Sequence, residues 1–157
     1  MSRFDTFLAT VLESATREAR ADGSSTVEAH HLLLAIADSG EPSTRQVLGP
    51  IGLDREAIQA ALTHEYARSL NAGGVSIDPS DFPRPSHPRA ESPSMGASVK
   101  LALERGFGSV ARKRDLRPAH LLLGIVQAPV GTVPRALDLA GVDRIALDER
   151  LRQHLEQ

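Results

Sequence analysis

The chain has no cysteine and no tryptophan, and only one tyrosine and four phenylalanines among 157 residues. Without cysteine it can form neither disulfides nor thiolate metal sites. With so few aromatics its core must come from Leu, Val, Ile and Ala, which suits close helix packing better than sheets, where aromatic and β-branched residues are favoured. A strong charge of either sign is also missing. The formal net charge of −2 argues against a partner held by bulk electrostatics, such as nucleic acid or an anionic membrane. No apolar run is long enough to cross a bilayer. The opening stretch MSRFDTFLATVLESATREAR carries charges throughout and lacks the apolar centre of a secretory leader. A cytoplasmic location is the expectation. The length is about one domain's worth, enough to bury one sizeable core.

What is present is a repeat. His31-Leu32-Leu33-Leu34-Ala35-Ile36 returns as His120-Leu121-Leu122-Leu123-Gly124-Ile125, an offset of 120 − 31 = 89. The same offset carries Leu48 to Leu137, Gly52 to Gly141, Asp54 to Asp143 and Leu12 to Leu101. Agreement at one shift over two separate blocks points to duplication.

Each unit reads as four helices. Phe4, Phe7, Leu8, Val11, Leu12, Ala15 and Ala19 recur at i, i+3, i+4 and i+7, which predicts an amphipathic helix ending near Asp22-Gly23. Ser25-Thr26-Val27-Glu28 has the pattern of a capping box, opening a second helix to Ala37 that is apolar nearly all round and hence central. A short third helix ends at Leu48-Gly49-Pro50. Asp54 caps a fourth, with Ala57, Ile58, Ala61 and Leu62 inward. In the second unit the helices are predicted over 94–112, 118–127 and 132–140, with a last one placing Ile145 or Leu147, Leu151 and Leu155 inward. Gly106 and Gly108 each weaken a helix by roughly 1 kcal/mol relative to Ala, so a break is expected there. Five prolines lie in residues 71–93, predicting an irregular linker between units spanning 1–70 and 94–157. The whole is an all-α chain, two pseudo-symmetric four-helix repeats packed as one eight-helix domain.

Motifs of catalysis are scarce. Neither Lys100 nor Lys113 follows a glycine, as a phosphate-binding P-loop requires, and no H-E-x-x-H or G-x-S-x-G occurs. The run from Gly106 to Ala111 loosely echoes a dinucleotide fingerprint, but no strand precedes it. His30 and His31 are about 100° apart on a helix and so should not converge on one ion. His31 and His120, at equivalent positions, suggest one structural job done twice: a histidine at the start of a buried helix, satisfied by a backbone or cap partner. No enzyme activity, cofactor or metal site is expected. The cations Arg105, Arg112, Lys113, Arg114 and Arg117 fit either a solvated helix end or a surface for nucleic acid or an acidic protein. A small helical nucleic-acid-binding regulator using Arg112 to Arg117 is therefore the alternative to a protein-interaction module.

Two four-helix units, each with an x-H-L-L-L-[AG]-I helix followed by a Gly-x-Asp step, resemble the N-terminal repeat domain of Clp-type protein-unfolding ATPases. The matching residues are Phe4, Ala29 to Ile36, Leu48 to Asp54, Ala119 to Ile125 and Leu137 to Asp143. The resemblance implies a non-catalytic domain that receives substrates, adaptors or Clp components in regulated proteolysis. It also suggests a stand-alone relative or a piece of a longer protein. Its binding groove matches Phe4, Asp5, His30, Ser94 and Met95 here. ClpC-type domains bind phosphorylated arginine through a Thr after the early Phe and a Glu before the repeat His. This chain has Asp5, His30 and Ala119 at such positions and Ser94 near another. Ala119 cannot pair with a guanidinium and Asp5 would repel a phosphate, so the residues speak against that ligand. Pro93 stands where an aromatic precedes the second unit in members that bind cyclic-peptide antibiotics.

Overall fold

The computed structural model describes residues 2–74 and 92–157. Among them are eight α-helices and one two-stranded pairing. Helix α1 (Arg3–Ala21) starts on a reciprocal cap: Ser2 Oγ accepts the Asp5 N–H at 3.0 Å, and the Asp5 carboxylate accepts the Ser2 N–H at 3.2 Å. Its buried face is Phe4, Val11, Ala15 and Ala19, with Phe7, Leu8 and Leu12 partly covered. Helix α2 (Ala29–Asp38) is followed by α3 (Pro42–Leu48), a 3₁₀ turn (Gly49–Ile51) and α4 (Arg55–Ala72). The second unit has α5 (Ala97–Gly108), a 3₁₀ turn (Lys113–Asp115), α6 (Pro118–Val126), α7 (Thr132–Leu139) and α8 (Arg144–Leu155). Helix α4 runs to Ala72, into the segment expected as linker. Most of that segment, with four of its five prolines, lies outside the described residues.

The central helices α2 and α6 are buried along almost their whole lengths, as a helix apolar all round must be. Leu32, Ile36, Leu122 and Ile125 are fully inaccessible, each contributing about 2 kcal/mol by leaving water. Both units feed one continuous core. In the last helix Leu147 and Leu151 point inward, while Ile145 is 75% exposed.

The repeat is visible in backbone chemistry. Leu53 N–H donates to Leu48 O and Val142 N–H to Leu137 O, both at 3.0 Å. Gly52 and Gly141 turn between them with φ of 73° and 76°, a left-handed conformation that glycine adopts without Cβ strain. Asp54 and Asp143 then accept the Ala57 and Ala146 N–H groups.

The first helices follow a different shift. α1 ends at Ala21 and α5 at Gly108, an offset of 108 − 21 = 87, because the α5–α6 connection is two residues longer than the α1–α2 connection. Ala15 and Ala19 therefore correspond to Ala102 and Gly106, all buried. The pairing of Leu12 with Leu101 does not hold structurally: Leu12 is partly buried and Leu101 is 49% exposed.

Two further expectations need correction. Thr26–Val27 is not the cap of α2 but a short strand, β1, parallel to β2 (Ser94–Met95), with Thr26 opposite Ser94. Glu28 caps α2 instead, and α5 begins at Ala97 because residues before it are extended. Gly106, read as a weak point, is required by packing. A Cβ there would lie 2.9 Å from His120 O, and one on Gly124 would lie 2.2 Å from Ala102 O. These glycines let α5 and α6 pack backbone to backbone; the helix ends at Gly108, where the sequence predicts a break.

Candidate functional site

Besides the packing of α4 on α7, the two units meet along two seams. At the first, β1 and β2 pair: Ser94 N–H donates to Ser25 O (3.2 Å) and Gly96 N–H to Val27 O (2.8 Å). Ser98 Oγ accepts the Ala29 N–H (2.8 Å) and donates to the Glu28 carboxylate (3.0 Å), so a side chain of unit two caps a helix of unit one. A Cβ on Gly96 would lie 1.8 Å from that carboxylate. Arg20 donates to Ser92. Elsewhere Arg135 of α7 pairs with Glu65 of α4 at 2.9 Å.

The second seam is open. The first turns of α1 face the end of α5 and the loop after it, leaving a groove of about 300 Å³. Its walls are Phe4, Leu8, Phe107, Val110, Ala111 and Leu116, with Asp5 and Lys113 across its rim. Phe107 meets Phe4 edge-on, centroids 6.1 Å apart, and remains 40% exposed. Lys113 Nζ stands 3.9 Å from Asp5 Oδ1, too long for a hydrogen bond. The serine-capped first turn holds the Asp5 carboxyl below its usual pKa: the Ser2 side chain contributes most, the Ser2 backbone N–H next, with Lys113 a lesser influence.

Of the residues singled out from the sequence, Phe4 and Asp5 line this groove, while His30, Ser94 and Met95 do not. Ser94 and Met95 form β2 at the other seam, both exposed. By the 87-residue shift Asp5 corresponds to Ser92, two residues before Ser94. His30 is partly buried against His31, ring centroids 4.0 Å apart. Burial, and after it the charge of His31, lowers its pKa to about 4. Sequence reading missed Phe107, Val110 and Leu116 as groove residues. Phe107 stood inside a glycine-rich run, and the only available signal was an aromatic in a chain with few.

The adjacent histidines do converge, against the expectation from helical spacing: ligand atoms of Asp22, His30 and His31 lie within 4.8 Å of one another. Proton bookkeeping disqualifies His31 as a ligand all the same. Its Nδ1 accepts the Glu28 N–H at 2.9 Å, so the proton sits on Nε2, which donates to Asp22 Oδ2 at 2.7 Å. No lone pair is left for a cation, nor for a serine in a catalytic triad. For Asp22 itself, burial alone would raise the pKa, but the bonds from His31 and Ser24 outweigh it and the net shift is downward.

The basic cluster is not one surface. Arg105 donates to Gly124 O at 2.8 Å and Arg117 to Leu155 O, while Arg112, Lys113 and Arg114 are exposed on the loop beside the groove. Larger than the groove is a hollow of about 530 Å³ beside Val126, Val142 and Ile145. Its charged groups are already engaged: Arg144 with Asp138, Arg152 with Asp148, and Asp143 as a helix cap. No helix is long and apolar enough to cross a membrane among the described residues.

Comparison with known proteins agrees with this architecture. The family model described as the Clp repeat (R) N-terminal domain matches residues 3–82. A solved structure, the N-terminal domain of the caseinolytic protease associated chaperone ClpD from Arabidopsis thaliana, is similar with a TM-score of 0.64. The alignment covers 95% of this chain and 92% of that one, at 18% identity, a likeness of fold. None of the curated proteins matches.

Proposed function

Because the chain belongs to the Clp repeat N-terminal domain family, we propose that it is a non-catalytic protein-interaction module, receiving a substrate, an adaptor or a Clp component in regulated proteolysis. The observation that carries this reading is the groove between the units, with an apolar wall of Phe4, Leu8 and Phe107, of which Phe107 is 40% exposed. Apolar side chains gathered into a concave wall that water can reach are what an interaction site needs. The proposed contact residues are Phe4 and Asp5 with Phe107. Met95 and Ser94 are a second contact at the paired seam, and His30, packed against His31, is not among the proposed contacts.

A nucleic-acid role for Arg112 to Arg117 has less support, since Arg117 is spent on a backbone carbonyl. The test is titration with a permanently unfolded, reduced and alkylated protein, followed by calorimetry. Binding is expected, weakened at least about fivefold by Ala111→Trp, which fills the groove. Unchanged binding in that variant would remove the groove from the reading. No binding by the parent chain would remove the reading.

A further inference from the structure

We propose that the groove takes an apolar side chain of a partner protein segment that carries acidic residues on both sides, with Arg112, Lys113 and Arg114 as the counter-charges. This rests on the protein-binding reading above and adds the chemistry of the partner.

The chain as a whole is slightly acidic, yet residues 105–117 hold five cations and one carboxylate. Two of the five, Arg105 and Arg117, are bonded to backbone carbonyls. The other three are consecutive and sit on the loop that walls the groove. The side chains of Arg112 and Lys113 are 61% and 82% exposed. Arg112 is held at 3.1 Å by Asp115. Lys113 is only loosely opposed by Asp5, and Arg114 has no hydrogen bond or ion pair among the described residues. Exposed long-stemmed cations beside an apolar recess, one unpaired among the described residues and two in solvent-exposed pairs, give a binding surface the usual division of labour: an anchor excluded from water in the centre and charges steering at the rim. The recess wants a hydrocarbon group and the rim wants carboxylates. Three cations on one loop beside a concave apolar wall do not form the extended basic track that a phosphate backbone requires.

The experiment uses the whole chain and three fluorescent peptides sharing a central Leu-Phe pair, flanked by Asp and Glu, by Ser and Gly, or by Lys. A labelled DNA duplex is run beside them, all read by anisotropy. The acidic peptide is expected to bind at least about fivefold tighter than the neutral one, and the basic peptide weakest. The preference should shrink below about twofold as salt is raised to about 1 M, where screening reaches contact range. Lys113→Glu with Arg114→Glu should reverse the order of the peptides. Arg68→Glu, an exposed change elsewhere on α4, should leave that order intact. Equal affinity for all three peptides overturns the proposed charge preference while leaving a protein-binding groove. DNA bound more tightly than any peptide overturns it in favour of nucleic acid. No peptide bound at all sinks the protein-binding reading with it.

Discussion

His31 and His120 make the same bond in their two units: each Nδ1 accepts the backbone N–H three residues before it, from Glu28 and from Arg117, at 2.9 Å in both. The imidazole thus satisfies a helix-start donor that has no partner within the helix. Only His31 has an acid bonded to its other nitrogen, Asp22 at 2.7 Å; Asp22 is the C-cap of α1, and the matching C-cap of α5, 87 residues on, is Ser109. His31→Ala should cost about 2–4 kcal/mol, combining a lost cap, a lost charged bond and a cavity. His120→Ala should cost less, about 1–2 kcal/mol. Urea unfolding of the two variants checks the ranking.

Acid should weaken the fold in a window set by His30. Its pKa falls to about 4 in the folded chain, chiefly through burial, against 6.5 in the unfolded one. Between those values the unfolded state binds more protons, so stability rises with pH. It is fully present above about 6.5 and declines as pH falls towards 4. The burial-lowered His120 adds in the same direction. The loss should be on the order of 1–3 kcal/mol, read from denaturant midpoints at several pH values. His30→Leu should flatten this part of the profile. Asp22, shifted downward, acts in the same sense, since its folded form also holds fewer protons than the unfolded one, but only below its ordinary value near 3.8.

Gly124→Ala should destabilise by more than about 2 kcal/mol, although helix propensity alone favours Ala by about 1. The new Cβ would collide with the Ala102 carbonyl. Gly108→Ala meets nothing within 4 Å and should be neutral or slightly stabilising. Thermal melts of the pair separate packing from propensity.

Arg135→Ala should cost about 2–3 kcal/mol, since the Glu65 side chain it leaves behind is only 6% exposed. Glu65 also accepts the Ser69 hydroxyl at 2.7 Å, which offsets the charge only in part. Adding Glu65→Gln should recover a measurable share of the loss in a double-mutant cycle.

Much of this was legible in the sequence. The Leu-rich central helices, the Gly-x-Asp steps and the acidic caps are local patterns with local causes, and the 89-residue shift tied them together. The β1–β2 pair was not legible, since Thr26–Val27 mimics a cap and its partner lies across the linker. Nor was the 87-residue register of the first helices, because two extra residues in a polar loop leave no trace in periodicity. The groove depends on that longer loop, which brings Val110, Ala111 and Lys113 over Phe4. Seven-residue spacing alone could place Phe4 and Val11 on the buried face of α1, but not what covers Phe4.

The central claim is that proteins dock where α1 meets the end of α5. Amide shift mapping by NMR, with the acidic-flanked Leu-Phe peptide titrated into the labelled chain, tests it directly. Changes should concentrate at Phe4, Asp5, Leu8, Phe107 and the 110–116 loop. Changes centred instead on Val142 and Ile145, or scattered without saturation, would contradict it.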